Sequence, residues 1–341
     1  MEFLKKIFND ELNQEGLVEI YNSKYLRDAI LKKMENDTYD LAFKDWKEIR
    51  QEALIIKADE ILDKYDCKSR FGVMKSIYNT NKLVPFIGAG MSMPSNYSGW
   101  TAFLKKLRKD TEITEEKLQS LLNKGEYEKA AQILYDGMHS NSFNELLESE
   151  YNAHKDIYGA VQYLPYIFKN TVITTNFDSV LKRCYDSIGE SFSDILLGAD
   201  SDELARLIAS NEKILLKLHG KANTGKNRIL TESEYNEHYS DANILKKSIE
   251  TICSNSLLFL GSSLTTDRTI ATMIEIAEEK GLPNIPRHYA FIGLYNEEER
   301  ISRTTELTKA NIFPIWYDGN GDHDDSIEAL LLKLADGVID V

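Results

Sequence analysis

From Leu83 onward the chain is punctuated by short apolar runs that close on small or polar residues. They are LVPFI at 83–87, TVITT at 171–175, ILLKL at 214–218 and LLFL at 257–260, followed by YAFIGL at 289–294 and IFPIWY at 312–317. Each is brief, rich in branched side chains and apolar at nearly every position. A strand with one face in water would alternate, so these runs predict strands buried on both faces of a parallel sheet. Helical stretches lie between them, which gives repeating βα units and an α/β fold, a Rossmann-like doubly wound parallel sheet. One residue opposes this: Pro85 sits inside the first run, and proline cannot donate to a ladder.

About 80 residues separate the first two predicted strands, too many for one crossover helix. WTAFLKKLRKD, EEKLQSLLNK, YEKAAQILYDGM and NELLESEY all read as helix, so a helical insertion is expected over about 100–168, forming a lobe at one end of the sheet. Such an arrangement usually encloses a cleft. Residues 1–75 read as a separate N-terminal helical extension, with Leu26, Ile30 and Met34 at i+4 spacing and FKDWKEIRQEALIIKADEILDKY in the same style. Residues 76–341 are then the Rossmann domain, closed by a helix over DDSIEALLLKLADG with acidic residues at its N-terminus. No internal repeat is present.

Composition narrows the function classes. Across 341 residues, 41 basic against 55 acidic side chains leave a formal charge of −14, which argues against direct nucleic-acid binding driven by phosphate neutralisation. No apolar run reaches the ~18 residues of a membrane span, and MEFLKKIFNDELNQ lacks the apolar core of a secretory signal. Three cysteines, Cys67, Cys184 and Cys253, are far apart and form no CxxC pair, so neither a zinc ribbon nor a disulfide framework is expected. A reducing cytoplasm is the natural compartment.

Four motifs fall at the carboxyl ends of four predicted strands, where open α/β sheets bind ligands. The first is Gly88-Ala89-Gly90-Met91-Ser92, whose small residues let backbone approach a pyrophosphate and whose following amides can bond it. A tight turn accounts for it equally well. It is not a full GxGxxG, and no acidic ribose-binding residue follows, so an ordinary dehydrogenase is disfavoured. The second is Thr174-Thr175-Asn176-Phe177-Asp178. Asp178 suits a cap on the helix SVLKRCY; Asn176 suits that role less, since one cap residue is enough. The third is Leu218-His219-Gly220, where an imidazole at a strand tip can take a proton near neutral pH. His139, His154, His238, His288 and His323 have no such setting. The fourth is Gly261-Ser262-Ser263-Leu264, whose hydroxyls can meet a phosphate or ribose, with Asp267 as a cap for RTIATMIEIAEE.

GAGMS, TTNFD, LHG and GSSL in this order resemble the sirtuin superfamily of NAD-consuming enzymes, and most closely its prokaryotic branch in anti-phage defence. SMPSNYSGWTAFL after the first motif and LTESEYNEHY after the third are similar to that branch, and the resemblance covers about residues 76–335. It implies that Gly88, Ala89, Gly90 and Ser92 hold the NAD diphosphate and adjoining ribose, with Thr175 beside them. It implies further that Asn176 positions the nicotinamide ribose and a water, that Asp178 lies near the nicotinamide amide, and that His219 is the catalytic histidine. Gly261, Ser262 and Ser263 would line the adenosine side. Two departures matter. The zinc-ribbon CxxC pairs of deacylating sirtuins are absent, so no zinc is expected. Their Asp-Phe-Arg triplet is replaced by SGWTAFL.

The expected activity is therefore NAD glycohydrolysis, with Asn176 and His219 as catalytic residues, NAD as substrate, and nicotinamide and ADP-ribose (cyclic variants included) as products. Transfer of ADP-ribose or acyl groups to protein, and a non-catalytic NAD or ADP-ribose sensor, are the alternatives. An unrestrained NAD hydrolase would kill its host in the manner of abortive infection, so control by assembly or a partner is expected. The resemblance implies a homo-oligomer and, in two-gene systems, a HerA-type ring ATPase partner.

Overall fold

Nine strands organise the described residues: β1 Val18–Ile20, β2 Ser23–Tyr25, β3 Leu83–Ile87, β4 Val172–Thr174, β5 Asp194–Leu197, β6 Ile214–Lys217, β7 Ser256–Leu260, β8 His288–Leu294 and β9 Ile312–Asp318. The structure is a computed structural model that describes residues 2–34, 36–198, 203–210, 212–223, 227–239, 244–265 and 268–337. Two compact units result, Met1–Glu60 with Ala329–Val341, and Ile61–Glu328.

The larger unit carries a seven-stranded, wholly parallel sheet in the order β5-β6-β4-β3-β7-β8-β9. All six predicted strands are present, and the α/β doubly wound expectation holds. The physical cause is visible in burial. Every residue of β4, β6, β7 and β8 is buried, as strands covered on both faces must be. The chain leaves β3 toward β4, β6 and β5, then returns on the other side through β7, β8 and β9. The order thus reverses at the β3–β7 pair, and the carboxyl ends of these two strands flank the crevice where such sheets bind ligands.

Pro85 is accommodated by parity. Gly88 N donates to Leu260 O on the β7 side, whereas Ile87 O accepts from Thr175 N on the β4 side. Odd residues of β3 therefore face β4, and so does the nitrogen of Pro85. Pairing with β4 begins only at Phe86↔Ile173, so no ladder bond is lost.

Sequence reading overlooked β5. It is a four-residue edge strand, exposed or half-buried along its length, and DILL carries too short an apolar signal to stand out. The expected insertion is helical, with helices Trp100–Arg108, Glu115–Asn123, Tyr127–Asp136 and Ser140–Tyr151. They bury Phe103, Leu104, Leu107, Leu118, Ala130, Leu134, Phe143 and Leu147 as one apolar interior.

The smaller unit is not wholly helical, contrary to expectation. Between helices Glu2–Gln14 and Arg27–Met34 runs an antiparallel hairpin, β1 paired to β2. Its two-residue turn, Tyr21-Asn22, has φ of 47° and 62°, the left-handed pair that matches the twist of a tight hairpin. Three-residue, largely exposed strands carry no apolar periodicity to announce themselves. Phe8 packs among Tyr39, Phe43 and Trp46 in this unit.

Candidate functional site

The loop after β3 and the loop after β7 cross almost in backbone contact. Gly90 N donates to Gly261 O at 2.8 Å, as Gly88 N does to Leu260 O. A Cβ on Gly88 would lie 2.6 Å from Gly261 O, and one on Gly90 would lie 2.8 Å from the same oxygen. Gly261 itself has φ +66°, and a Cβ there would lie 2.5 Å from Met91 N. Glycine is thus required on both sides of the crossing. After Gly88 the chain turns through a short 3₁₀ helix, Ala89–Met91, in which Met91 N donates to Gly88 O and Ser92 N to Ala89 O. The amides of Gly88, Gly90, Met91 and Ser92 are therefore engaged within the protein.

The β4 loop docks onto this crossing through Asn176. Its Nδ2 donates to Gly88 O at 3.0 Å and to Ser92 Oγ at 3.2 Å. A backbone carbonyl can only accept, so the amide's orientation is fixed by chemistry: nitrogen faces Gly88, and Oδ1 keeps its acceptor capacity. Thr174 Oγ1 supports the loop from behind. It donates to Ile87 O at 2.8 Å and accepts from Asn176 N at 3.0 Å. Thr175 is half-buried beside it. Phe177 lies edge-on to Trp100 and Tyr151 with ring centroids 5.6 and 5.8 Å away. The Trp that opens the first lobe helix therefore anchors this loop. Asp178 is buried, and its Oδ1 accepts from Val180 N at 2.9 Å, an Asx-type bond just before the helix Val180–Ser187, whose N-cap position is Ser179.

His219 stands two residues past Lys217, which pairs in register with Thr174; Asn176 stands two residues past Thr174. The imidazole and the carboxamide thus leave neighbouring strands at equivalent positions. His219 is 3% exposed. Its Nε2 lies 3.4 Å from Tyr239 Oη, which in turn lies 3.1 Å from Thr269 Oγ1, and its ring meets Tyr235 edge-on at 5.5 Å. The segment carrying these tyrosines is itself clamped. Arg228, 3% exposed, donates twice to Glu234 Oε1 and once to Asn144 Oδ1 in the lobe. Glu234 Oε2 accepts from the amides of Leu230 and Thr231, and Thr231 caps the helix Glu232–His238 in a capping box. Gly220, at φ +78°, permits the turn: a Cβ there would lie 2.2 Å from Asn227 O.

On the adenosine side implied by the resemblance, Ser262 is half-buried next to Gly88, and Ser263 is exposed with its Oγ 3.0 Å from Thr265 Oγ1. Asp267, read as a helix cap, lies outside the described residues. The structure thus gathers Gly88, Gly90, Ser92, Asn176 and Gly261 through direct contacts. It sets His219 on the adjacent strand end, with Ala89, Thr175, Asp178, Ser262 and Ser263 in the same four loops. No group of three or more His, Cys, Asp or Glu suited to a metal occurs among the described residues.

Sequence reasoning passed over Lys217. It is 5% exposed, and its Nζ donates to Phe177 O at 2.9 Å and Asp178 O at 2.7 Å. Burial pushes its ammonium down to about 8, opposed by the charge of Asp178. The signal was present as the one charged residue inside ILLKL. Tyr239 and Thr269 left no comparable signal.

Comparison with known proteins agrees with this architecture. The family model described as a SIR2-like domain matches residues 170–315, which takes in the second, third and fourth motifs. Defense-associated sirtuin 2 of Bacillus subtilis is 26% identical over 187 residues, 54% of this chain and 18% of that protein. The NAD(+) hydrolase ThsA of Enterococcus faecium is 24% identical over 182 residues, 53% of this chain and 37% of that protein. ThsA of Acinetobacter baumannii is 22% identical over 222 residues, 64% of this chain and 44% of that protein. The chain thus spans less than half the length of each of these relatives. Residues 170–315 are thus similar to a SIR2-like domain, and the second, third and fourth motifs of the parallel α/β sheet lie within that stretch.

Proposed function

We propose that this chain is an NAD glycohydrolase that cleaves NAD to nicotinamide and ADP-ribose, and that it serves as an effector of anti-phage defence. The observation that carries the reading is the fixed orientation of Asn176, whose Oδ1 is left to accept beside the strand end that bears His219. Relatives named NAD(+) hydrolase and defence-associated sirtuin support it.

NAD brings a cationic leaving group. The C1′–N bond of the nicotinamide ribose breaks, its electron pair neutralises the pyridinium nitrogen, and positive charge builds on the sugar as in glycoside cleavage. Water then bonds to C1′ and loses a proton. In this reading Asn176 Oδ1 orients the water or a ribose hydroxyl, and His219 accepts the proton. General-base assistance of this kind contributes about 100- to 10,000-fold. The protein's main work is positioning and exclusion of bulk water, which suits the burial of both side chains. Ser92 Oγ, already accepting from Asn176, has its own hydrogen left to donate to a ribose or phosphate oxygen. Restraint of the activity by homo-oligomer assembly or by a HerA-type ATPase partner belongs to the same proposal.

The test is incubation of the purified chain with NAD, with nicotinamide and ADP-ribose quantified by chromatography, for the wild type, Asn176→Ala and His219→Ala. Circular dichroism checks folding. Free ADP-ribose from the wild type and its loss in both variants is expected. Full activity in both variants overturns the assignment, and radiolabelled protein in place of free ADP-ribose favours transfer.

A further inference from the structure

The buried lysine of β6 has no part in the reaction as derived above, yet its environment is unusual for a lysine. It lies in an interior strand, flanked in register by Thr174 of β4 and Leu197 of β5. Lysine is almost never fully buried without partners, because desolvating an ammonium is costly. Here the partners are two carbonyls about forty residues earlier in the chain, those of Phe177 and Asp178. These are the two residues immediately after Asn176. Lys217 itself lies two residues before His219. The ammonium is therefore a cross-tie between the loop that bears the carboxamide and the strand that bears the imidazole.

The alternatives are less economical. A purely apolar side chain would fill the same volume without the desolvation cost, and the rest of β6 is Ile214, Leu215 and Leu216. The remaining fastenings act at the loop's base, where Leu218 N donates to Thr174 O at 2.8 Å, or toward other elements. Thr174 and Asn176 tie it to β3, and Phe177 ties it to the lobe through Trp100 and Tyr151. Beyond the backbone bond from Leu218 N to Thr174 O at the end of β4, the lysine is the fastening among these that joins the carbonyls of Phe177 and Asp178 to the strand of His219. A charge-assisted bond to each carbonyl is about twice as strong as a neutral one, and an error of about 1 Å in relative placement of reacting groups costs about 100-fold in rate.

We propose that Lys217 is a positioning residue that sets the placement of Asn176 relative to His219 for cleavage of NAD. The proposal rests on the hydrolase reading. Lys217 touches no substrate. Its effect passes through the Asn176 loop, so it acts on turnover more than on binding of the dinucleotide, whose phosphate and adenosine portions meet other loops.

The experiment compares wild type with Lys217→Met, which keeps the stem and removes the donors, and Lys217→Arg, which keeps a cation. Lys217→Gln is the replacement should the methionine variant not fold. Two readouts are taken: kcat and KM for nicotinamide release from NAD, and hydrogen exchange of residues 174–180 by mass spectrometry. The proposal expects kcat to fall at least 30-fold in the methionine variant with KM within threefold. It also expects exchange in 174–180 to rise at least tenfold with β7 unchanged, and partial recovery of kcat in the arginine variant. Turnover within threefold of wild type, or unchanged exchange in 174–180, overturns it. Failure of both the methionine and glutamine variants to fold overturns it in favour of a folding role. If the wild type itself releases no nicotinamide, the hydrolase reading fails. Raised exchange in 174–180 then still supports the cross-tie, and unchanged exchange refutes it.

Discussion

Replacement of Gly261 by alanine tests whether two loops really cross in near backbone contact at the head of the sheet. Three contributions act against the new methyl group. The left-handed φ of +66° costs about 1–2 kcal/mol for any residue with a Cβ. That carbon would sit 2.5 Å from Met91 N, 2.7 Å from Met91 Cγ and 3.0 Å from Gly90 C, and two of these atoms are backbone. Overpacking of this kind costs about 1–3 kcal/mol. Relief requires the loops to part, which strains the hydrogen bond from Gly90 N to Gly261 O, worth about 1 kcal/mol. The loops cannot part freely, because β3 and β7 are paired over five consecutive residues up to Ile87↔Leu260. The total is about 3–6 kcal/mol, a large fraction of the ~5–15 kcal/mol that holds a typical domain.

Two controls separate the contributions. Gly189 has φ +75° with no atom within 4 Å of a built Cβ, so Gly189→Ala carries only the conformational cost. Gly90→Ala carries the clash with Gly261 at an ordinary φ. Urea unfolding followed by circular dichroism gives the midpoints and slopes. Gly261→Ala is expected to lose the most, Gly90→Ala less and Gly189→Ala least. Equal losses for Gly261→Ala and Gly189→Ala would refute the close-approach argument, since both share the backbone conformation and only one has a neighbour.

Other outcomes follow from the same geometry. Asn176→Asp sets a carboxylate oxygen against Gly88 O in place of a donor, so stability should fall by about 1–3 kcal/mol and nicotinamide release should be lost; unchanged thermal unfolding would show that this amide does not hold the loop. His219→Gln should lower kcat about 100-fold or more with little change in unfolding, measured by product chromatography. His288 is buried, which pushes its imidazole down to about 3, and its Nδ1 accepts from Leu257 N. The folded state therefore binds fewer protons than the unfolded chain between these values. Stability is complete above the unfolded value of about 6.5 and declines as pH falls toward 3, by up to roughly 5 kcal/mol; unfolding curves flat across that range would contradict the burial. Glu150 is pushed up by burial but pulled further down by hydrogen bonds from Lys106, Lys155 and Ser98 N, to about 2. Its contribution is present above the unfolded value of about 4.5 and lost as pH falls to 2, so Glu150→Gln should flatten the acid limb of the stability profile.

The amino-acid sequence determined the layered fold because double-sided burial leaves a one-dimensional trace. β3, β4, β6, β7, β8 and β9 are apolar nearly throughout, and the lobe helices carry their own periodicity. It also located Gly88, Asn176, His219 and Gly261, since strand tips in a parallel sheet share one end and the motifs follow the strands directly. The exposed hairpin β1–β2 and the edge strand β5 left no such trace, because a short strand facing water needs no apolar pattern.

What only the tertiary structure decided is the direction in which each group's bonding capacity is used. The loop amides are engaged by the β7 loop and by their own turn, the nitrogen of Asn176 is taken by Gly88, and Lys217 reaches carbonyls about forty residues away. A hydrogen bond depends on the placement of both partners, and partners so distant along the chain are fixed by strand order and register, which no local pattern encodes.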